Sequence, residues 1–509
     1  MGADLVAPGG IRAATRTERI LPRQDAARRK QAGAAHRQPA SIAVFNSSIA
    51  NRHPNSAMVP GRRPILSLLT LSACLGLIHP GLAAAPTTVP SAPFTQTAAP
   101  VPPISATLNT PLRVMPPTQD AALSPPPAEI PLSSSDQEAN WVRDLDLMSE
   151  GIQKTGQVPG FAVALVSRGQ VLRAQGYGVR HAWTRQPVGP NTVFRLASVS
   201  KGFAATLTGL LVNDGVLTLA DPVQDHVPAL VLKDANASLS LRVEDLLSHR
   251  LGLPTHTFDP LLEQNETYYE LVPKLSDVTL TCPAGDCYAY QNVAFSLIGE
   301  VVYSVTGDFY THQVEKRIFH PLGMDTATFG KEALEASADY AAPHVRGRNG
   351  WVPLSAKPNY YRVPPAAGVN ASITDMSKWL LAQLGHDPTV IPQSVLDEIH
   401  RARVLTPTEV SSSPWRRARV SAAEYALGWR VFDYSGHRLV FHAGAVQGYR
   451  AMVGLLPDQD VGIAILWCSE SALPAGMMPR MLDEILGLPE RDWLELAKYQ
   501  PRAKSRKRR

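Results

Sequence analysis

Strand-like segments in this chain fall at two widely separated places. Phe161 to Val166 and Gln170 to Tyr177 are apolar, β-branched-rich runs joined through Ser167-Arg168-Gly169, the pattern of a β-hairpin. Comparable runs return only far downstream, at Leu427 to Tyr434, Leu439 to His442, Tyr449 to Leu456 and Val461 to Ser469, with turn residues at Ser435-Gly436 and Pro457-Asp458. In between, Phe203 to Val212, Val243 to Leu247, Ala294 to Val305 and Asp375 to Leu384 place apolar residues at helical intervals. The pattern predicts an α/β chain of the α+β type: one antiparallel sheet built from both ends and flanked by helices, with a mainly helical region inserted. A first amphipathic helix is expected near Ser135, where Ser135 and Glu138 have capping-box spacing and Trp141, Leu145, Met148 and Ile152 share a face.

The segments ahead of that helix read differently. Residues 86–134 are dense in Pro, Thr, Ala and Ser and have few large apolar side chains to bury, so a disordered linker is expected. From Met58, Arg62-Arg63, the apolar run Ile65 to Ile78 and Ala83-Ala84-Ala85 follow in the order of an export signal, placing a signal peptide at 58–85 and the mature protein in the periplasm or outside the cell. Leu71-Ser72-Ala73-Cys74 also fits a lipoprotein box, the minority alternative, with Cys74 as the lipidated residue. Such signals act from an N-terminus, so Met58 is read as the start of translation and 1–57 as a non-native or unusual extension without a fold. The folded domain is expected at 135–495 and a basic tail at 496–509.

Charge narrows the partners. The formal net charge is +5, but residues 1–57 hold a surplus of six, Arg62 and Arg63 two, and residues 502–509 six, leaving the body at about −9. A nucleic-acid-binding body is therefore not expected. The tail has two readings, peripheral contact with a membrane or cell-wall surface, or simple solvation. Of the cysteines left after Cys74, Cys282 and Cys287 flank Pro-Ala-Gly-Asp, and stand as either a disulfide or two free thiols sharing a turn. No Cys-x-x-Cys pair and no His-Glu-x-x-His helix occurs in the sequence, so no metal is expected.

Three short motifs carry the chemistry. In Ser198-Val199-Ser200-Lys201, followed by Phe203, Leu207, Leu210 and Leu211, a helix beginning at the serine sets Ser198 and Lys201 one turn apart on one face. An amine within reach makes a weakly nucleophilic hydroxyl reactive, and the helix N-terminus favours negative charge there. In Tyr290-Gln291-Asn292, on a loop before a helix, a phenol and an amide two residues apart can face one pocket as proton carrier and orienting group. In His442-Ala443-Gly444, at the end of a strand-like run, the glycine would let substrate backbone lie close to the strand edge and the amide of Ala445 point into the site.

Together these motifs resemble those of the family uniting class C β-lactamases, serine D-Ala-D-Ala carboxypeptidases and related esterases. Flanking text agrees over roughly 140–490: Pro159 to Val163, Thr192 to Ala197, Leu246-Leu247-Ser248-His249 with Gly252-Leu253-Pro254, and Leu427-Gly428-Trp429. The resemblance implies a β-lactamase/transpeptidase-like fold and an acyl-enzyme on Ser198. It makes Lys201 and Tyr290 the proton-handling pair, Asn292 a substrate-amide ligand, and the backbone amides of Ser198 and Ala445 the oxyanion hole, with no cofactor. Peptidoglycan-like D-amino peptides or β-lactams are the implied substrates. A carboxylesterase of the same fold and a non-catalytic wall-binding protein are the alternatives. Two departures bear on substrate: His442 stands where class C enzymes usually carry lysine, and Ala443 and Ala445 replace common hydroxyl residues. Small neutral esters are therefore expected to be favoured, with His442 supplying a pH-dependent positive charge and Arg450 available to meet a carboxylate.

Overall fold

The computed structural model describes residues 136–499. The expected extension, signal peptide with Cys74, linker, the capping residue Ser135, and the tail from 500 lie outside them.

Helix α1, Asp136–Thr155, carries acidic residues in its first turn and Lys154 in its last, matching the helix dipole, and buries Trp141, Leu145 and Ile152. The strands in chain order are β1 Gly160–Ser167, β2 Gln170–Gly178, β3 Phe194–Arg195, β4 Thr328–Phe329, β5 His344–Gly347, β6 Gly350–Pro353, β7 Val369–Ala371, β8 Val404–Leu405, β9 Val420–Tyr425, β10 Arg430–Tyr434, β11 His437–Val446, β12 Tyr449–Leu456 and β13 Val461–Trp467. Eight form one sheet in the order β2-β1-β13-β12-β11-β10-β9-β8, and its two chain ends meet where β1 pairs antiparallel with β13, Phe161 opposite Trp467 and Val166 opposite Gly462.

The sheet is covered on both faces, and strand alternation decides which residue faces what. Ala162, Ala164 and Val166 enter the core shared with Phe203 and Leu207 of helix α2, Ser200–Asn213, and with the inserted helical region. Phe161, Val163 and Leu165 enter a second core with Trp141, Leu145 and Ile152 of α1 and with Met477, Met481 and Ile485 of the helix Met477–Ile485.

Several local expectations change. Leu427 to Trp429 is not the start of a strand: Gly428 has φ of +69°, and a Cβ there would come within 2.4 Å of the Lys201 carbonyl oxygen. Only glycine allows that turn to seat on α2. Trp429 in turn packs on Gly202, where a Cβ would lie 2.7 Å from the indole. Leu496–Tyr499, assigned from sequence to the tail, forms a last 3-10 turn with Leu496 against Gly151 of α1.

Candidate active site

Ser198 sits in a single 3-10 turn, Ala197–Val199, at the entry to α2 rather than at the first position of a regular helix. Ala197 has φ of +49°, a left-handed conformation that costs a non-glycine residue roughly 1–2 kcal/mol. Its surroundings impose it. Upstream, β3 pairs with β7, Phe194 opposite Ala371, and the Leu196 N–H donates to the Val369 carbonyl at 2.9 Å. Ser200 is tied to the same strand, its hydroxyl accepting from the Val369 N–H at 3.0 Å. Ser200 is thus a buried support, while Ser198 is half-buried and opens toward the surface.

Above this turn lies β11. It is an interior strand, but its pairing with β10 ends at Arg430 opposite Phe441, so His442 to Val446 pair on one side only, with β12. Gly444 meets the nucleophile turn rather than leaving room for substrate backbone as the sequence suggested. A Cβ at 444 would stand 2.1 Å from the Leu196 oxygen and 2.9 Å from the Ser198 nitrogen. The neighbouring Ala445, expected to form an oxyanion hole with the Ser198 amide, is exposed.

Lys201 is fully buried. Its Nζ donates to Asn292 Oδ1 at 2.7 Å and to the Ala366 carbonyl at 3.2 Å, and stands 4.6 Å from the centre of the Tyr290 ring. Burial pushes its ammonium well below the usual lysine range; Asp259 pulls the other way and Arg430 adds to the fall. A neutral amine has two hydrogens, and these two acceptors take both, leaving the lone pair free. Tyr290 is hydrogen-bonded to Ser198, and burial, opposed by that bond, raises its phenol above the ordinary tyrosine range.

The loop bearing Tyr290 is held by the segment just after Leu246-Leu247-Ser248-His249. Backbone bonds run from Thr281 N–H to Gly252 O at 2.8 Å, Ala289 N–H to His249 O at 2.9 Å and His256 N–H to Tyr290 O at 2.8 Å, and Gln291 Nε2 donates to Pro254 O at 2.6 Å. Cys282 and Cys287 are joined by a disulfide at the far end of this loop, with their Cα atoms 6.4 Å apart.

Asn292 is only 5% exposed, and both ends of its amide are engaged. Oδ1 accepts from Lys201 and Nδ2 donates to Asp259 Oδ2 at 2.7 Å. One bond at each end of the amide thus holds a neighbouring side chain, Lys201 among them, in a residue expected to serve as a substrate-amide ligand. Asp259 belongs to no motif. It is buried after Phe258, whose φ is +65°, and its Oδ2 also bonds His256 Nδ1 at 2.6 Å.

His442 likewise differs from expectation. It is 1% exposed, and burial, with Arg430 and Lys201 adding to the effect, drives its imidazolium far below the usual histidine range. It is a neutral hydrogen-bonding group and supplies no titrating charge near neutrality. Its place in a chain fixes the tautomers. The Gln291 N–H donates to His249 Nδ1 at 3.2 Å, so His249 Nε2 carries the hydrogen and donates to Tyr425 Oη at 3.2 Å. The Tyr425 hydroxyl then donates to His442 Nε2 at 3.1 Å, and His442 Nδ1 donates to the Ala443 carbonyl at 2.9 Å. This chain ties the Tyr290 loop to the strand over Ser198. Arg450, opposite Ala445 on β12, spends its Nη1 on the Val446 and Tyr449 carbonyls at 2.6 and 2.8 Å.

Comparison with known proteins places this geometry. A family model described as Beta-lactamase matches residues 145–481. The chain is 24% identical over 346 residues to Protein flp of Staphylococcus aureus (strain MW2), covering 67% of this chain and 65% of that protein. It is 28% identical over 327 residues to the Unguisins hydrolase ungD' of Aspergillus campestris (strain IBT 28561), covering 61% of this chain and 58% of that one. The chain thus spans less than two thirds of the length of these relatives. Among solved structures, the octameric penicillin-binding protein homologue from Pyrococcus abyssi superposes with a TM-score of 0.60 at 25% identity, covering 68% of this chain and 78% of the other. The sheet from both chain ends, the inserted helices and the family match agree: the fold is β-lactamase/transpeptidase-like, and the chain belongs to the beta-lactamase family.

Proposed function

We propose that this chain is an exported serine hydrolase that forms an acyl-enzyme on Ser198 and acts on amide or ester carbonyls. The observation that carries the reading is the convergence of a half-buried Ser198, a Tyr290 phenol hydrogen-bonded to it, and a buried Lys201 whose surroundings favour the neutral amine. Ser198 Oγ attacks the carbonyl carbon while its proton passes to the Lys201 and Tyr290 pair, and the developing oxyanion lies at the amides of Ser198 and Ala445. The directions of the two shifts favour the Lys201 amine as the resting base and the Tyr290 phenol as the proton carrier. Collapse of the tetrahedral intermediate releases the leaving group with that proton. Water then attacks the acyl carbonyl, passes its proton back, and regenerates Ser198.

Export rests on the order of Arg62-Arg63, the apolar run and Ala83 to Ala85. It would bring D-amino peptides of the cell wall, or β-lactams, within reach. The name of the Aspergillus relative, an unguisins hydrolase, agrees with hydrolytic chemistry in this family. One observation favours the carboxylesterase reading over a carboxylate-bearing substrate: His442 is held neutral, Ala443 and Ala445 offer no hydroxyl, and the Arg450 Nη1 is engaged by its own turn. Purified protein assayed with a chromogenic cephalosporin, a D-Ala-D-Ala peptide and small neutral esters tests the proposal, with Ser198→Ala as the control. Turnover of at least one class, abolished in Ser198→Ala, is expected. Turnover that survives the substitution contradicts the mechanism. A preference above about ten-fold for a free carboxylate over its methyl ester contradicts the ester reading.

A further inference from the structure

We propose that a second concave site, in the inserted helical region, binds an organic cation, with Glu300 as its counter-ion and aromatic rings as its walls. The cavity holds about 470 Å³, within the range of small-molecule sites. It lies between the helix Tyr268–Leu271, the helix Ile298–Thr306, the helix Tyr310–Val314 and the segment 361–365.

Two ring pairs form much of its wall, Tyr268 with Tyr269 at 5.3 Å between centroids and Tyr303 with Phe309 at 5.5 Å. Tyr269, Tyr303 and Phe309 are 76%, 49% and 63% exposed, an arrangement that leaves their faces open to a ligand. Deeper in, Tyr268 and Tyr310 are 8% and 5% exposed, and both buried hydroxyls lack a hydrogen-bond partner. A buried hydroxyl without a partner loses its hydration for nothing, and a ligand or the water it carries would restore that bond.

Charge decides the class of ligand. Glu300 is half-buried in the wall, its pKa raised by burial, and among the described residues it forms no salt bridge. Arg362 also lines the cavity, but its Nη1 donates to the Asn265 carbonyl and its charge bears on Glu270. Glu300 is thus the carboxylate of the wall left to meet a cationic ligand among the described residues. Aromatic faces attract cations through the ring quadrupole, and a poorly hydrated quaternary or alkyl ammonium loses least on entering such a site. The cavity is distinct from the Ser198 site but shares supports with it. Pro364 and Pro365 in its wall precede Ala366, which holds Lys201, and Ser296 donates to the Asn292 carbonyl at 2.9 Å.

Calorimetric titration of the full chain with choline, and with its neutral isostere 3,3-dimethylbutan-1-ol, tests the proposal without reference to turnover. Choline is expected to bind on the order of ten-fold tighter than the isostere. Glu300→Gln should reduce that preference to about two-fold or less, and Tyr303→Leu should weaken choline by roughly ten-fold, with circular dichroism confirming that both variants fold. Equal binding of the two probes, an undiminished preference in Glu300→Gln, or no choline binding would each overturn it.

Discussion

Gly444 lies against the Leu196 carbonyl so closely that a Cβ on it would come within 2.1 Å of that oxygen. The strand over the active site and the turn that presents Ser198 are thus in backbone contact, and the smallest side chain would push them apart. Gly444→Ala should destabilise the fold by about 1–3 kcal/mol through overpacking. Displacement of the turn should also lower kcat/KM by roughly 10². Urea melts and steady-state kinetics check both. A fully active variant would mean that the turn relaxes freely.

Asp259 reaches Lys201 through Asn292, and its charge raises the lysine's pKa against the fall caused by burial. If the neutral amine is the working base, kcat/KM rises as pH increases through the lowered Lys201 pKa. Removing the negative charge lowers that pKa further. Asp259→Asn should therefore move the ascending limb of the pH profile to lower pH. A limb that stays in place or moves up would disconnect Asp259 from the base.

How much of this was legible in the sequence follows from how local each signal is. Ser198 with Lys201, and Tyr290 with Asn292, are spaced within one turn or loop, so the spacing alone brings them to a common face. The sheet was legible for the same reason, since β1, β12 and β13 are buried over nearly their whole length. Asp259 was missed because it stands far from Asn292 in the chain and reaches it only through a loop turned by left-handed residues at His256 and Phe258. The chain from His249 through Tyr425 to His442 joins three separate segments. The partial cue was Leu246 to His249, which resembles the family's sequence but gives no partner for its histidine. Charge on His442 was misjudged because burial, which sets its pKa, has no signature in a three-residue motif.

The Tyr425 hydroxyl bridges two buried imidazoles, at 3.2 Å to His249 and 3.1 Å to His442. Tyr425→Phe leaves a donor on one and an acceptor on the other without a partner. A loss of about 1–3 kcal/mol in stability is expected, measured by denaturant unfolding. Activity should fall through kcat more than KM, because the chain positions the strand beside Ser198 and does not touch substrate. Unchanged stability would mean that water replaces the hydroxyl.

Ser200 bonds the Val369 amide from a buried position, whereas Ser198 faces Tyr290 from a half-buried one, so only one of the two serines is free to be acylated. The decisive measurement is peptide mapping by mass spectrometry after labelling with a fluorophosphonate. A single adduct on Ser198 is expected, absent in Ser198→Ala and formed roughly 10²-fold more slowly in Tyr290→Phe. An adduct on Ser200, or labelling that persists in Ser198→Ala, would contradict the assignment of Ser198 as the nucleophile.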